Sequence, residues 1–371
     1  MKWSAILSLG LVLLALTGLV IWGYQFFVAP EPIQAITEKW EQAGHADTSS
    51  ESFVHWDEDD PPEVPASCAK CHSLYGYLDF LGADGTAAGQ VDGPAEIGSV
   101  LYCNACHNTP THELTTVEFP SGIEVEEPSG NSNCMQCHQG RQATTTVNEA
   151  IAGIDLDTVS EDLGFINVHY AVAAATQLGD EAQIGYQYAE KSYVGRYEHT
   201  EDYSTCVECH DPHSTSINPD TCSPCHLNVV DNEDLREIRQ DPVDYDGDGN
   251  TEEPIADEIA TLHESLYAAL QDYAATVIGT PIVYDGNTYP YFFIDTNANS
   301  SADSDEVNYG NRYVTWTPRL VRTVYNYNYV LGDHGAYSHN PQYVLQLLYD
   351  SLDDLNEAGS VAPDSERFTR P

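Results

Sequence analysis

The chain has 371 residues, 59 of them acidic and 13 basic, for a formal charge of −46. No basic stripe exists to neutralise phosphates, which excludes nucleic acid as a partner. Self-repulsion on this scale opposes compaction unless it is screened, so the composition suits bound divalent cations, a saline setting or simply a well-solvated acidic surface.

Residues 3 to 28 are almost wholly apolar, with Lys2 before them. A cleaved secretory signal has an apolar core of about 7–15 residues, whereas a stretch of about 20 can span a bilayer. Residues 1–30 are therefore expected to be a retained membrane anchor rather than a removed signal, and either way the remainder leaves the cytoplasm. Residues 31–66 read as an acidic stalk. They carry Pro30, Pro32 and the run Asp57-Glu-Asp-Asp60-Pro-Pro62 at or near their ends, with a short helix expected over Ile33 to Trp40.

Residues 67–230 hold five copies of one pentapeptide. They are Cys68-Ala-Lys-Cys71-His72, Cys103-Asn-Ala-Cys106-His107, Cys134-Met-Gln-Cys137-His138, Cys206-Val-Glu-Cys209-His210 and Cys222-Ser-Pro-Cys225-His226. A single C-x-x-C-H also fits a redox dithiol, a disulfide or a zinc knuckle. Five copies that consume all ten cysteines point instead to c-type haem attachment. Two thiols form thioethers with the haem vinyl groups and the adjacent imidazole takes the proximal position on iron. Five haem c groups are expected, in a mainly α and irregular fold with little β and a core built around stacked haems. Val168 to Leu178 is the best helical stretch of this region, being rich in Ala.

A second histidine on each iron gives a low-spin carrier of electrons, and an open position gives a catalytic site. Nine histidines lie outside the motifs. His213 stands three residues after His210 with Pro212 between, too close to reach the far face of its own haem, so it is expected on a neighbouring one. His169 opens the Ala-rich stretch, His199 lies just before the fourth motif, and His339 precedes the helix start Asn340-Pro341. His55 is flanked by aromatics in Phe53-Val-His55-Trp56. These five are the distal candidates, with His112 in reserve against His55. His45 and His263 read as exposed.

Residues 231–371 have no cysteine and are expected to pack against the haems. Ile255, Ile259, Leu262, Leu266, Leu270, Tyr273 and Val277 recur at helical steps, with Pro254 at the first turn. A hairpin is expected between Tyr284 and Ile294, and a closing helix from Asn340, with Val344, Leu348, Leu352 and Leu355 on one face. Asp295, Asn297, Asn299, Asp303 and Glu306 fall at positions 1, 3, 5, 9 and 12 of an EF-hand-like loop, with Ser300 where Gly is usual. They are candidate calcium ligands, against the alternative of an Asx-rich turn. Asp244-Tyr-Asp246-Gly-Asp248-Gly249 supplies only the first half of such a loop, with Ile255 at position 12.

Several stretches together resemble a polyhaem membrane-associated cytochrome c family. They are Phe165-Ile-Asn-Val-His169-Tyr-Ala-Val-Ala-Ala-Ala175, Tyr197-Glu-His199, Cys206 to His213, Phe53-Val-His55-Trp56, Cys137-His138-Gln-Gly-Arg141 and Ser338-His339-Asn340-Pro341. The resemblance covers most of residues 50 to 355. It implies an electron carrier with largely bis-His haems outside the cytoplasmic membrane, and distal roles for His169, His199, His213 and His339. The expected partners are redox proteins and, through residues 1–30, the membrane. A multihaem reductase of the nitrite or hydroxylamine type and a subunit of an extracellular cytochrome filament or other homo-oligomer are the alternatives. The uniform ending of all five motifs in His, rather than one in Lys, weighs against the reductase.

Overall fold

The computed structural model describes residues 31–200, 203–239, 241–359 and 365–371. The expected anchor over residues 1–30 lies outside them. Among the described residues no helix is long and apolar enough to cross a membrane.

Among the described residues the fold is mainly helical and irregular, and its strands form three two-stranded antiparallel sheets. The largest apolar cluster is built by side chains, and most of it lies in the second half of the chain. Helix Ile255–Tyr273 lies along helix Pro341–Glu357, and helix Pro318–Leu331 packs against both. Leu262, Leu266, Leu270, Leu348, Leu352 and Leu355 are buried there, each contributing about 2 kcal/mol by removal from water. Pro254 occupies the cap position of the first of these helices. The Asn340 side chain accepts from Tyr343 N at 3.1 Å to cap the last. The expected hairpin forms from Ile282–Tyr284 and Phe292–Ile294, with Val283 opposite Phe293.

Helix Pro318–Leu331 was not apparent in the sequence, because Arg319, Asn326 and Asn328 interrupt its apolar pattern. All three are buried, and Arg319 and Asn326 are paired. Arg319 meets Asp157 and Asp354, and Asn326 Nδ2 donates to Tyr186 O and Ser351 Oγ, each at 3.0 Å. A buried guanidinium is tolerated because two carboxylates compensate it.

By contrast, the first two attachment motifs lie beside only small side-chain clusters, Val64, Ala69 and Ala95 in one and Tyr77, Leu81 and Ala105 in the other. An expected core of haems therefore describes part of the motif-bearing half of the chain at most, because one side-chain core fills the C-terminal half and extends into residues 117–188.

Two further expectations change. The segment read as a stalk folds back onto the attachment region. Its helix Ile33–Trp40 forms as expected, but Trp40 Nε1 donates to Leu101 O at 2.9 Å and Lys39 reaches Asp211 at 2.8 Å. The helix expected over Val168 to Leu178 is confined to Ala173–Leu178. His169 and Ala171 have φ of 80° and 56°, which no right-handed helix accommodates.

Candidate functional site

Each motif is one helical turn. Cys68 to His72 lies within helix Ala66–His72. In the other four the histidine N–H donates to the carbonyl of the first cysteine, from His107 to Cys103 at 2.8 Å, His138 to Cys134 at 3.1 Å, His210 to Cys206 at 2.9 Å and His226 to Cys222 at 2.9 Å. This bond is the i→i−4 contact of an α-turn, and it places two sulfurs and one imidazole along one short surface. The turn of the fourth motif is capped by Glu208, whose carboxylate accepts from Thr205 N at 2.7 Å. No disulfide joins any of the ten cysteines.

Every motif histidine faces a second histidine. The ring centres are 5.7 Å apart for His72 and His169, 6.3 Å for His107 and His213, 6.3 Å for His138 and His45, 6.4 Å for His210 and His339, and 5.8 Å for His226 and His199. Two imidazoles on one metal, each bonded at about 2 Å, place their ring centres about 6 Å apart. The five spacings therefore fit a shared iron.

The hydrogen bonds on the far side of these rings fit as well. His72 Nδ1 lies 2.6 Å from Ser52 O and His210 Nδ1 lies 3.3 Å from Thr215 O. A carbonyl only accepts, so Nδ1 carries the proton and Nε2 keeps its lone pair for a metal. His339 Nδ1 donates to Asp333 at 2.8 Å. Burial alone would lower the His339 pKa, but the Asp333 carboxylate raises it above the usual value. Gly335 makes that contact feasible, since a Cβ there would lie 2.7 Å from the His339 ring. Burial pushes His138 and His169 down to about 4, which leaves both rings neutral, the form that binds metal.

Local structure explains the placement of His213. Asp211 Oδ1 accepts from the His213 and Ser214 amides at 2.9 and 3.1 Å. This turn carries the His213 ring away from His210 to His107. Lys39 holds the Asp211 carboxyl down at about 2, so the turn persists over a wide pH range.

His55 is the one distal candidate that the structure does not bring to a motif histidine. Its side chain is 60% exposed and its Nδ1 lies 2.6 Å from Glu51. The flanking aromatics belong to other contacts, with Phe53 buried and Trp56 set against the His72 ring. His45 stands opposite His138 instead. It is half-buried in the short turn Gly44–Ala46, which is fixed where Leu101 N donates to its carbonyl at 3.0 Å. His112 and His334 are exposed. His263, expected to be exposed, is half-buried, stacked on Tyr327 at 4.2 Å with its Nε2 2.9 Å from Tyr327 O.

Comparison with known proteins finds polyhaem cytochromes. C-type polyheme cytochrome OmcB of Geobacter sulfurreducens is 27% identical over 83% of this chain and 46% of its own length, in each of two strains. C-type polyheme cytochrome OmcC of the same species is 27% identical over 84% of this chain and 45% of its own. The chain resembles the multihaem c-type cytochromes. It spans about half the length of the curated relatives it matches. No family model and no solved structure matches.

The acidic loops form a separate group. Asp295 and Glu306 are 4% and 2% exposed. Asp295 accepts from the amides of Asn299 and Ser300, and the Asn297 and Asn299 side chains both donate to Asp303 Oδ2 at 2.8 Å. Glu306 Oε1 accepts from Thr296 N and Oγ1, while Oε2 is buried without a hydrogen-bond partner among the described residues. Ser300 has φ of 63°, the backbone that the usual Gly would supply.

The second loop is more complete in space than in sequence. Carboxylate oxygens of Asp244, Asp246 and Glu258 lie within 4.8 Å of one another, as do those of Asp246, Asp248 and Glu253. Burial and the neighbouring Asp246 and Asp248 carboxylates push the Glu253 carboxyl up to about 7. Counting twelve positions missed Glu258, because it reaches back from the first turn of the following helix.

Proposed function

We propose that this chain is an electron-transfer protein that holds five haem c groups, each between two histidines. The observation that carries the reading is that each of five attachment histidines faces a second histidine at a ring spacing between 5.7 and 6.4 Å. Bound haem supplies a one-electron iron couple. The chain's own residues do the rest. Ten cysteines fix the macrocycle edges. His72, His107, His138, His210 and His226 are the proximal ligands, and His169, His213, His45, His339 and His199 the distal ones, with His45 in the place first given to His55. With both axial positions filled, no iron is open to substrate, so the chain is a carrier rather than an enzyme.

Residues 1–30 anchor it on the outer face of the cytoplasmic membrane, where it relays electrons between other redox proteins. A calcium ion occupies the loop from Asp295 to Glu306, with Asp295, Asn297, Asn299, Asp303 and Glu306 as side-chain ligands. The buried, unpartnered Glu306 oxygen supports that assignment, because a desolvated carboxylate oxygen needs a compensating partner.

Denaturing mass spectrometry of the mature chain is the first test, with five haem additions expected. Electron paramagnetic resonance of the oxidised protein is the second, with low-spin signals alone expected. A high-spin haem in the intact protein would favour the multihaem reductase instead. Fewer than five additions would remove the reading of every motif as an attachment site.

A further inference from the structure

The five attachment motifs do not meet in chain order. The Cys71 and Cys137 thiols lie within hydrogen-bonding reach of each other. Around them the backbones of the first and third motifs run side by side, with Cys71 Sγ 3.8 Å from Gln136 O and Cys137 Sγ 3.9 Å from Lys70 O. The other cysteine of the third motif faces the fourth. Cys134 and Cys206 are also within hydrogen-bonding reach, and Cys206 N donates to Asn131 Oδ1 at 3.0 Å.

The second motif reaches the same place through Asn133. Asn133 Nδ2 lies 3.2 Å from Cys106 Sγ, and its Oδ1 accepts from the Tyr77 hydroxyl at 2.6 Å. Tyr77 is 3% exposed and stands among the thiols of Cys71, Cys106, Cys134 and Cys137. The three motifs thus converge on one buried tyrosine and on the residue just before Cys134. The fifth motif follows the fourth. Asn218 N donates to Cys209 O at 3.3 Å, and the Cys222 thiol lies close enough to act electrostatically on Cys209.

A thioether sulfur is bonded directly to a side-chain carbon of the porphyrin edge, so sulfurs that adjoin bring macrocycle edges together. We propose that the third attachment site is a junction, adjoined by the first, second and fourth sites, and not the midpoint of a line that follows the sequence. The inference rests on all five motifs carrying haem. Under it the first site neighbours the third, although the second lies between them in the chain. The peptide from His210 to His213 ties the second site to the fourth, so both flank the junction. Tyr77 and Asn133 are positioning residues that fill the space between the first three sites.

Iron anomalous scattering from crystals of the full-length haem-loaded protein tests this directly. Each iron is assigned by the C-x-x-C-H motif beside it. The expected result is that the iron on His138 has those on His72, His107 and His210 as its three nearest neighbours, and that the iron on His226 lies nearest the one on His210. Five irons in the order of the sequence, with the His72 iron nearest the His107 iron, would overturn the junction and leave the five-haem reading standing. An iron missing from any of the first four sites would overturn both.

Discussion

Replacing Asp333 by Asn should raise the midpoint potential of a single haem by roughly 100 mV. The Asp333 carboxylate is 5% exposed and lies 2.8 Å from His339 Nδ1. Crossing the ring and a metal–nitrogen bond of about 2 Å puts it about 7 Å from an iron on Nε2. At an effective dielectric constant of about 20, a unit charge at that distance acts with about 2.4 kcal/mol. That is about 100 mV for a one-electron couple. The sign follows from charge, because a carboxylate favours the ferric iron and so lowers the potential, and its neutral isostere removes that preference. Asn keeps an oxygen that accepts from Nδ1, so the ring orientation and the low-spin state should persist. Spectroelectrochemical titration of the wild-type and variant proteins measures the shift, with mass spectrometry confirming equal haem content. A potential that stays fixed or falls, in a variant that keeps its haems, would refute the pairing of Asp333 with a ligand histidine.

The remaining expectations concern single side chains. His45→Ala should convert one low-spin haem to high-spin and open a position for carbon monoxide, while His55→Ala should leave the resonance spectrum unchanged; the reverse pattern would restore His55 as the ligand. His213→Ala should also add one high-spin haem, and an unchanged spin count in the folded variant would return His213 to the surface. Replacing Asp295 and Glu306 together by Ala should lower the melting temperature in calcium but not in chelator. Calcium at about a hundred times its dissociation constant contributes about 2.7 kcal/mol, and an equal loss in both conditions would leave only a turn. Replacing Arg319 and Arg322 together by Ala should cost about 3–5 kcal/mol by stranding the buried Asp354 carboxylate that both guanidiniums contact, and a loss under 1 kcal/mol in denaturant unfolding would contradict that burial.

The five C-x-x-C-H turns were legible because their pattern is local, with two thiols and an imidazole inside one turn. Helices Ile255–Tyr273 and Pro341–Glu357 were legible for a related reason, since their apolar spacing and Asn340 cap are written within each segment. The partners of the motif histidines were less so. Nothing beside His45 marks it. It reaches His138 only because Trp40 and the His45 carbonyl are pinned to Leu101, a contact made by the tertiary fold. His55 had the more persuasive neighbours, yet those aromatics serve other contacts. Asp333 went unnoticed because a carboxylate six residues before a histidine is an ordinary pattern until a helical turn folds it back. Helix Pro318–Leu331 was hidden because its buried Arg319 and Asn326 are satisfied by distant groups.

The facing histidines also set a timetable. Three of the five pairs, those of His72, His107 and His210, take their second member from later in the chain, from His169, His213 and His339. The pairs of His138 and His226 take theirs from earlier, from His45 and His199. A chain that emerges from its N-terminus can complete the third site as soon as its own motif appears, while the first site still waits. The fourth must wait longest, until the last helices have folded and presented His339. Each completed pair closes a loop in a chain that still has most of its freedom to lose. Truncation after the fifth motif would thus spare every motif cysteine and still leave His210 without the histidine that faces it.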